Sequence, residues 1–133
     1  MTDIPYRTAL IVGAGSGISA AVARGLASAG VYVGLAARYV EKLVPLATET
    51  RAQTFAVDAS DPAAVARLFD DADTRLGEPD VVFYNASARA HGPIAELDPE
   101  AVRKAVEISA FGGFLTVQQA ARRMIPHGRA RYC

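Results

Sequence analysis

Cysteine is all but missing. Cys133 is the single one in 133 residues, so no internal disulfide can form, and a reducing, cytoplasmic setting is the expectation. Histidine is nearly as scarce: with only His91 and His127 beside that cysteine, a metal cluster is not expected. Charge of either sign shows no excess. Fourteen basic residues balance fourteen acidic ones, and a formal net charge of zero supplies no field to draw the chain to nucleic acid or to an anionic membrane. No apolar run reaches the roughly 18 residues that a membrane span needs, and the opening MTDIPYRT lacks the basic-then-apolar layout of a signal peptide. Low-complexity tracts and linkers are absent as well.

What is present is a chain with 51% hydrophobic and 21% charged residues, of a size for one domain, residues 1–133, with a real core. Apolar runs and helical spacings alternate along it. RTALIV (7–12), VYVGLAAR (31–38), RAQTFAVDAS (51–60, ending near Asp58) and VVFY (81–84) read as strands, the last continuously apolar as in a parallel strand buried on both faces. Between them lie helical stretches from the first glycine cluster to Gly30, over EKLVPLATE with Pro45 in its first turn or kinking it, and from Asp61-Pro62 to about Leu76. Asp98-Pro99 opens a long helix that ends near Ile125, and both Asp-Pro pairs are N-cap signals with proline at the first helical position. Four strands alternating with four helices predict an α/β fold, a Rossmann-type doubly wound parallel sheet.

The glycine cluster VGAGSGIS follows the first strand directly and opens the first helix. In that context Gly13, Gly15 and Gly17 let the backbone turn tightly and approach a ligand, and the free N–H groups of the helix start, with Ser16 and Ile18, face it. An anionic pyrophosphate suits such a loop. Many S-adenosylmethionine-dependent methyltransferases also begin with Gly-x-Gly-x-Gly, but usually with an acidic residue at the end of the second strand and often another ahead of the glycines. Here Leu10, Ile11 and Val12 precede Gly13, and the second strand ends Ala36-Ala37-Arg38. An acidic side chain there would accept bonds from a ribose 2′-hydroxyl and repel a 2′-phosphate; a guanidinium pairs with the phosphate. Arg38 therefore points to NADP, with NAD as the alternative.

These residues resemble the short-chain dehydrogenase/reductase family from residue 7 to about 128. Its cofactor loop, Thr-Gly-x-x-x-Gly-x-Gly, stands here as Val12-Gly13-Ala14-Gly15-Ser16-Gly17-Ile18-Ser19, with a serine for the last glycine, small enough for close helix packing and large enough to shift the loop. Asp58-Ala59 is similar to the family's Asp-Val/Leu pair, whose carboxylate contacts the adenine amino group. Asn-Asn-Ala-Gly after the fourth strand is half preserved, as Tyr84-Asn85-Ala86-Ser87. The long helix resembles the family's segment with an asparagine that helps hold a proton-relay water near the catalytic lysine; Ser109 stands at that position. The resemblance implies a hydride transfer between nicotinamide and a carbonyl or alcohol. It also implies a helix, 99–125, that packs on its copy in a dimer, so a second copy or a full-length relative is the expected protein partner. A cofactor, another backbone or a subunit is the expected neighbour of Gly112-Gly113.

The family's chemistry requires a tyrosine with a lysine four residues on, and a serine that polarises the substrate. Tyr6, Tyr32, Tyr39 and Tyr84 are followed at that spacing by Leu10, Ala36, Leu43 and Ala88, and Tyr132 has no such position, so the chain contains no Tyr-x-x-x-Lys. The expectation is a fold truncated after the fourth strand and the long helix, whose fourth strand is an open edge and which is inactive alone. The competing expectation is a non-catalytic nucleotide-binding or interaction module; a methyltransferase-like domain comes third. Residues 129–133 form an atypical tail. With freely chosen codons, a one-base loss from Gly-Thr-Ile-Leu, a common strand start after the Met-Pro exit, yields Ala-Arg-Tyr-Cys, which is Ala130 to Cys133, so a frame change is one expectation for the tail and a natural stop the alternative.

Overall fold

A computed structural model describes residues 4–128; the atypical tail lies outside the described residues. The elements run β1 (Thr8–Val12), α1 (Ile18–Ser28), β2 (Tyr32–Ala37), α2 (Val44–Thr50), β3 (Gln53–Ala56), α3 (Pro62–Arg75), β4 (Val81–Tyr84), α4 (Pro99–Val106) and α5 (Gly112–Met124). The strands form one parallel sheet in the order β3-β2-β1-β4. Val12 is level with Ala36 on one side and with Tyr84 on the other, so the carboxyl ends of three strands are aligned. Strand order reverses between β1 and β4, which opens a crevice at those carboxyl ends.

Period-two alternation sends successive β1 side chains to opposite faces. Leu10 and Val12, with Phe55 and Val82, pack under Phe69 of α3 and Met124 of α5. Ile11, with Val33 and Leu35, packs under Ala20 and Ala23 of α1 and Leu46 of α2. The N-caps are as the Asp-Pro pairs predict: the Asp61 carboxylate accepts from Ala63 N–H at 3.1 Å and the Asp98 carboxylate from Glu100 N–H at 3.1 Å. Arg123 ties α5 to α3, donating to Asp73 at 2.8 Å and Asp70 at 3.0 Å while stacking over Phe69, 5.1 Å from the ring centre. Among the described residues no helix is long and apolar enough to cross a membrane.

Several expectations are corrected. The stretch before α2 is a 3-10 turn, Val40–Leu43, and Pro45 sits in the first turn of α2, where its missing N–H breaks no helical bond. β3 ends at Ala56, short of Asp58, although Val57 N–H still reaches the Ala37 carbonyl at 3.0 Å. In β4 only Val82 is buried, because the strand has one neighbour among the described residues, and its other residues are half covered. The long helix is broken by a π turn at Glu107–Phe111.

Candidate functional site

The crevice is built around a turn that admits no side chain. At the end of β1, the N–H groups of Gly13 and Ala14 both donate to the Ala36 carbonyl, at 2.9 and 3.0 Å. Gly13 has φ +85, and a β-carbon there would lie 2.7 Å from that of Ala86, so the loop after β4 crosses over bare backbone. Ser19 fastens this crossing. Its hydroxyl, 1% exposed, donates to the Gly13 carbonyl at 3.2 Å and accepts from Asn85 Nδ2 at 2.9 Å. Asn85 N–H in turn donates to the Val12 carbonyl at 2.8 Å. The start of α1 at Gly17 has no side-chain cap and no acidic residue in its first turn. Its N–H groups and the positive end of the helix dipole remain available to an anion.

A cleft of about 300 Å³ lies beside this turn. Gly13, Arg38, Asp58, Ala59, Asn85, Ala86 and Ser87, all expected from the sequence, line it. Gly15, Ser16, Gly17 and Ile18 do not; they form the turn at the start of α1, where the Ile18 side chain is 65% exposed. Ala14, Ala37, Val57 and Ile108 complete the lining; Ala37 adjoins Arg38 at the end of β2, and none of the four was singled out as a site residue by sequence reasoning. The two alanines and the strand-end valine adjoin motif residues, a usable signal, but nothing local marks Ile108.

Charge gathers at one end of the cleft. Asp58 Oδ1 accepts from the Ser60 hydroxyl at 2.7 Å and from Ser60 N–H at 3.0 Å. Those bonds, aided by the nearby Lys104 and Arg38 cations, hold the Asp58 carboxyl below its ordinary range against the opposing effect of burial. Lys104 donates to the Ser60 hydroxyl at 2.9 Å and stands 3.9 Å from Asp58 Oδ2. Arg38, exposed at the end of β2, borders the same space.

The π turn carries Ile108, which lines the cleft, and Ser109. The Ser109 hydroxyl accepts from Ala88 N–H at 3.1 Å and donates to the Ala88 carbonyl at 3.2 Å, so its one proton is committed to the loop after β4. Tyr84, where the resembled pattern has asparagine, sends its hydroxyl under the helix to donate to the Ile108 carbonyl. Burial pushes the Tyr84 phenol up to about 12. The tight neighbours of Gly112 are thus internal. A β-carbon there would lie 2.7 Å from the Ala59 carbonyl oxygen and would also overlap the Tyr84 hydroxyl.

The arrangement offers an uncapped helix start, a close backbone crossing, an exposed guanidinium and an oriented carboxylate around one crevice. Known proteins resemble the chain in sequence and in fold. Residues 7–131 match the short chain dehydrogenase family. An uncharacterized oxidoreductase of Caenorhabditis elegans is 32% identical over 130 residues, 92% of this chain and 42% of the relative. Cis-4-hydroxycyclohexanecarboxylate dehydrogenase of Sinomonas cyclohexanicum is 36% identical over 127 residues, 92% of this chain and 51% of the relative. The chain thus spans about half the length of the curated relatives it matches. The solved structure of a short-chain type dehydrogenase/reductase from Mycobacterium ulcerans superposes with TM-score 0.88 at 28% identity, over 98% of this chain and 51% of that one. On sequence and on fold alike, the chain belongs to the short-chain dehydrogenase family, whose members bind a nicotinamide dinucleotide.

Proposed function

We propose that this chain is the nucleotide-binding half of an NADP-dependent short-chain oxidoreductase that moves a hydride between nicotinamide and a carbonyl or alcohol carbon. The observation that carries the choice of NADP is Arg38, which stands at the cleft end of β2 where a ribose-binding carboxylate would exclude a 2′-phosphate. The guanidinium can donate two parallel hydrogen bonds to that phosphate.

The other residues take roles that fit their surroundings. Gly13, Gly15, Ser16, Gly17 and Ile18 present backbone N–H groups and the helix dipole to the pyrophosphate. Asp58 and Ala59 receive the adenine, and Asn85, Ala86 and Ser87 form the facing wall. The bound dinucleotide supplies or accepts the hydride. With no Tyr-x-x-x-Lys in its 133 residues, the chain holds no pair to exchange a proton with a carbonyl oxygen, so it binds without turnover. A cytoplasmic setting goes with this reading. Parallel titrations of the 133-residue chain with NADP and NAD test it. NADP is expected to bind at least tenfold tighter, and equal or reversed affinities overturn the assignment of NADP.

A second reading is favoured by one surface. Val106 is 58% exposed on α4, and Phe111 and Phe114, 41% and 57% exposed, stack with ring centres 6.2 Å apart where the helix resumes. A non-catalytic module that docks through helix 99–125 on a second copy or a full-length relative would cover them. A defined dimer in sizing measurements supports it, and a monomer at all concentrations counts against it.

A further inference from the structure

We propose that Ser60 and Lys104 are positioning residues that decide which oxygen of Asp58 is offered to the ligand, making the cleft selective for a base with an exocyclic amino group. The inference rests on the dinucleotide reading above and goes beyond it by naming residues that the glycine loop and the strand ends do not contain.

The geometry is a short chain of donors. Lys104 Nζ, reaching across from α4, donates to the Ser60 hydroxyl at 2.9 Å, and that hydroxyl passes its own proton toward Asp58 Oδ1 at 2.7 Å. Ser60 N–H adds a second bond to the same oxygen at 3.0 Å. Oδ1 is therefore saturated. Oδ2 has no hydrogen bond among the described residues; its nearest cation, Lys104 Nζ, is held 3.9 Å away by the serine. Ser60 thus does two things at once: it fixes the plane of the carboxylate and keeps the ammonium from closing on Oδ2. What remains on Asp58, a residue of the cleft lining, is a single ionised acceptor that welcomes an N–H donor and repels a lone pair. An adenine amino group fits that demand. Hypoxanthine, which presents an oxo group at the same ring carbon, places a lone pair against the carboxylate.

Both side chains are close to half solvent-exposed, at 43% for Lys104 and 40% for Asp58, so the ion pair between them adds little stability of its own. The serine-bridged arrangement matters for orientation. Removing the Ser60 hydroxyl releases the carboxylate to rotate and lets Lys104 swing onto Oδ2. Removing the Lys104 ammonium leaves the serine hydroxyl free to turn away.

The experiment compares NADP with its hypoxanthine counterpart, binding each to the wild-type chain and to Ser60→Ala, Ser60→Thr and Lys104→Met. The wild type is expected to prefer NADP by about tenfold, the scale of one charge-assisted hydrogen bond. Ser60→Ala and Lys104→Met should lose most of that preference by weakening NADP alone, and Ser60→Thr should keep it. If the two disruptive variants discriminate as the wild type does, or lose both ligands equally, the inference is overturned while the cofactor reading stands. A folded wild-type chain that binds neither dinucleotide overturns both.

Discussion

The Tyr84 hydroxyl occupies the space beside Gly112 that a β-carbon would need, and the Ala59 carbonyl closes the other side at 2.7 Å from that position. Two adjacent glycines in one helix therefore have different reasons to be there. A β-carbon on Gly113 would meet only the Tyr84 ring, at 3.5 and 3.6 Å, which is ordinary packing distance.

Opposite effects of the same substitution follow. Gly112→Ala should destabilise the chain by about 1–2 kcal/mol, because overpacking against backbone outweighs the roughly 1 kcal/mol of helix propensity that alanine adds. Gly113→Ala should stabilise it by about 0.5–1 kcal/mol. Urea unfolding of both variants checks the pair, and equal shifts would refute the packing account.

Tyr84 also sets an alkaline limit. Its folded-state value, about 12, lies above the ordinary 10.0. The neutral phenol's contribution is thus complete below about pH 10 and is lost as pH rises through 12. Between those values wild-type stability should fall by on the order of 2 kcal/mol more than that of Tyr84→Phe, measured as unfolding midpoints across the pH range. At neutral pH the phenylalanine variant should be less stable by about 1 kcal/mol, having lost the bond to the Ile108 carbonyl.

The Arg123 cluster should respond unevenly to its two ends. Burial raises the Asp73 carboxyl even though Arg123 pulls it down, so the carboxylate gains less from the pair than it loses to desolvation. Arg123→Leu strands that charge and should cost about 2–3 kcal/mol, whereas Asp73→Asn should cost under about 1 kcal/mol. Thermal unfolding of the two variants separates these magnitudes.

Arg38→Glu should weaken NADP binding tenfold or more while leaving NAD within about threefold, because the new carboxylate repels a 2′-phosphate and accepts from a 2′-hydroxyl. Competitive titration measures the ratio. A variant that binds both dinucleotides as the wild type does would remove Arg38 from recognition.

The parts legible in the sequence are those set by neighbours in the chain. Asp61 and Asp98 cap the helices they precede, Gly13 makes its turn, and Arg38 follows directly from the register of β2. The π turn was not legible. Glu107 to Phe111 reads as ordinary helix, and the bond that accompanies the turn comes from Tyr84, more than twenty residues earlier in the chain. Of the neighbours expected at Gly112, another backbone is the one found, and the sequence could not say which, since Ala59 and Tyr84 are distant in the chain. Nothing in the sequence singles out Lys104, and only the folded chain brings it to Ser60.

The clasp formed by Ser19, Gly13 and Asn85 bears on the order in which the molecule assembles. Gly13 and Ser19 are six residues apart, but Asn85 lies 66 residues beyond Ser19. Closing that contact requires the whole intervening β-α succession to have formed or to be held in a large loop, an entropic expense that only β4 docking on β1 redeems. A chain emerging from the ribosome can make the glycine turn early, yet its final shape awaits residue 85. The motif that reads as the most local in the sequence is completed by one of the least local contacts in the fold.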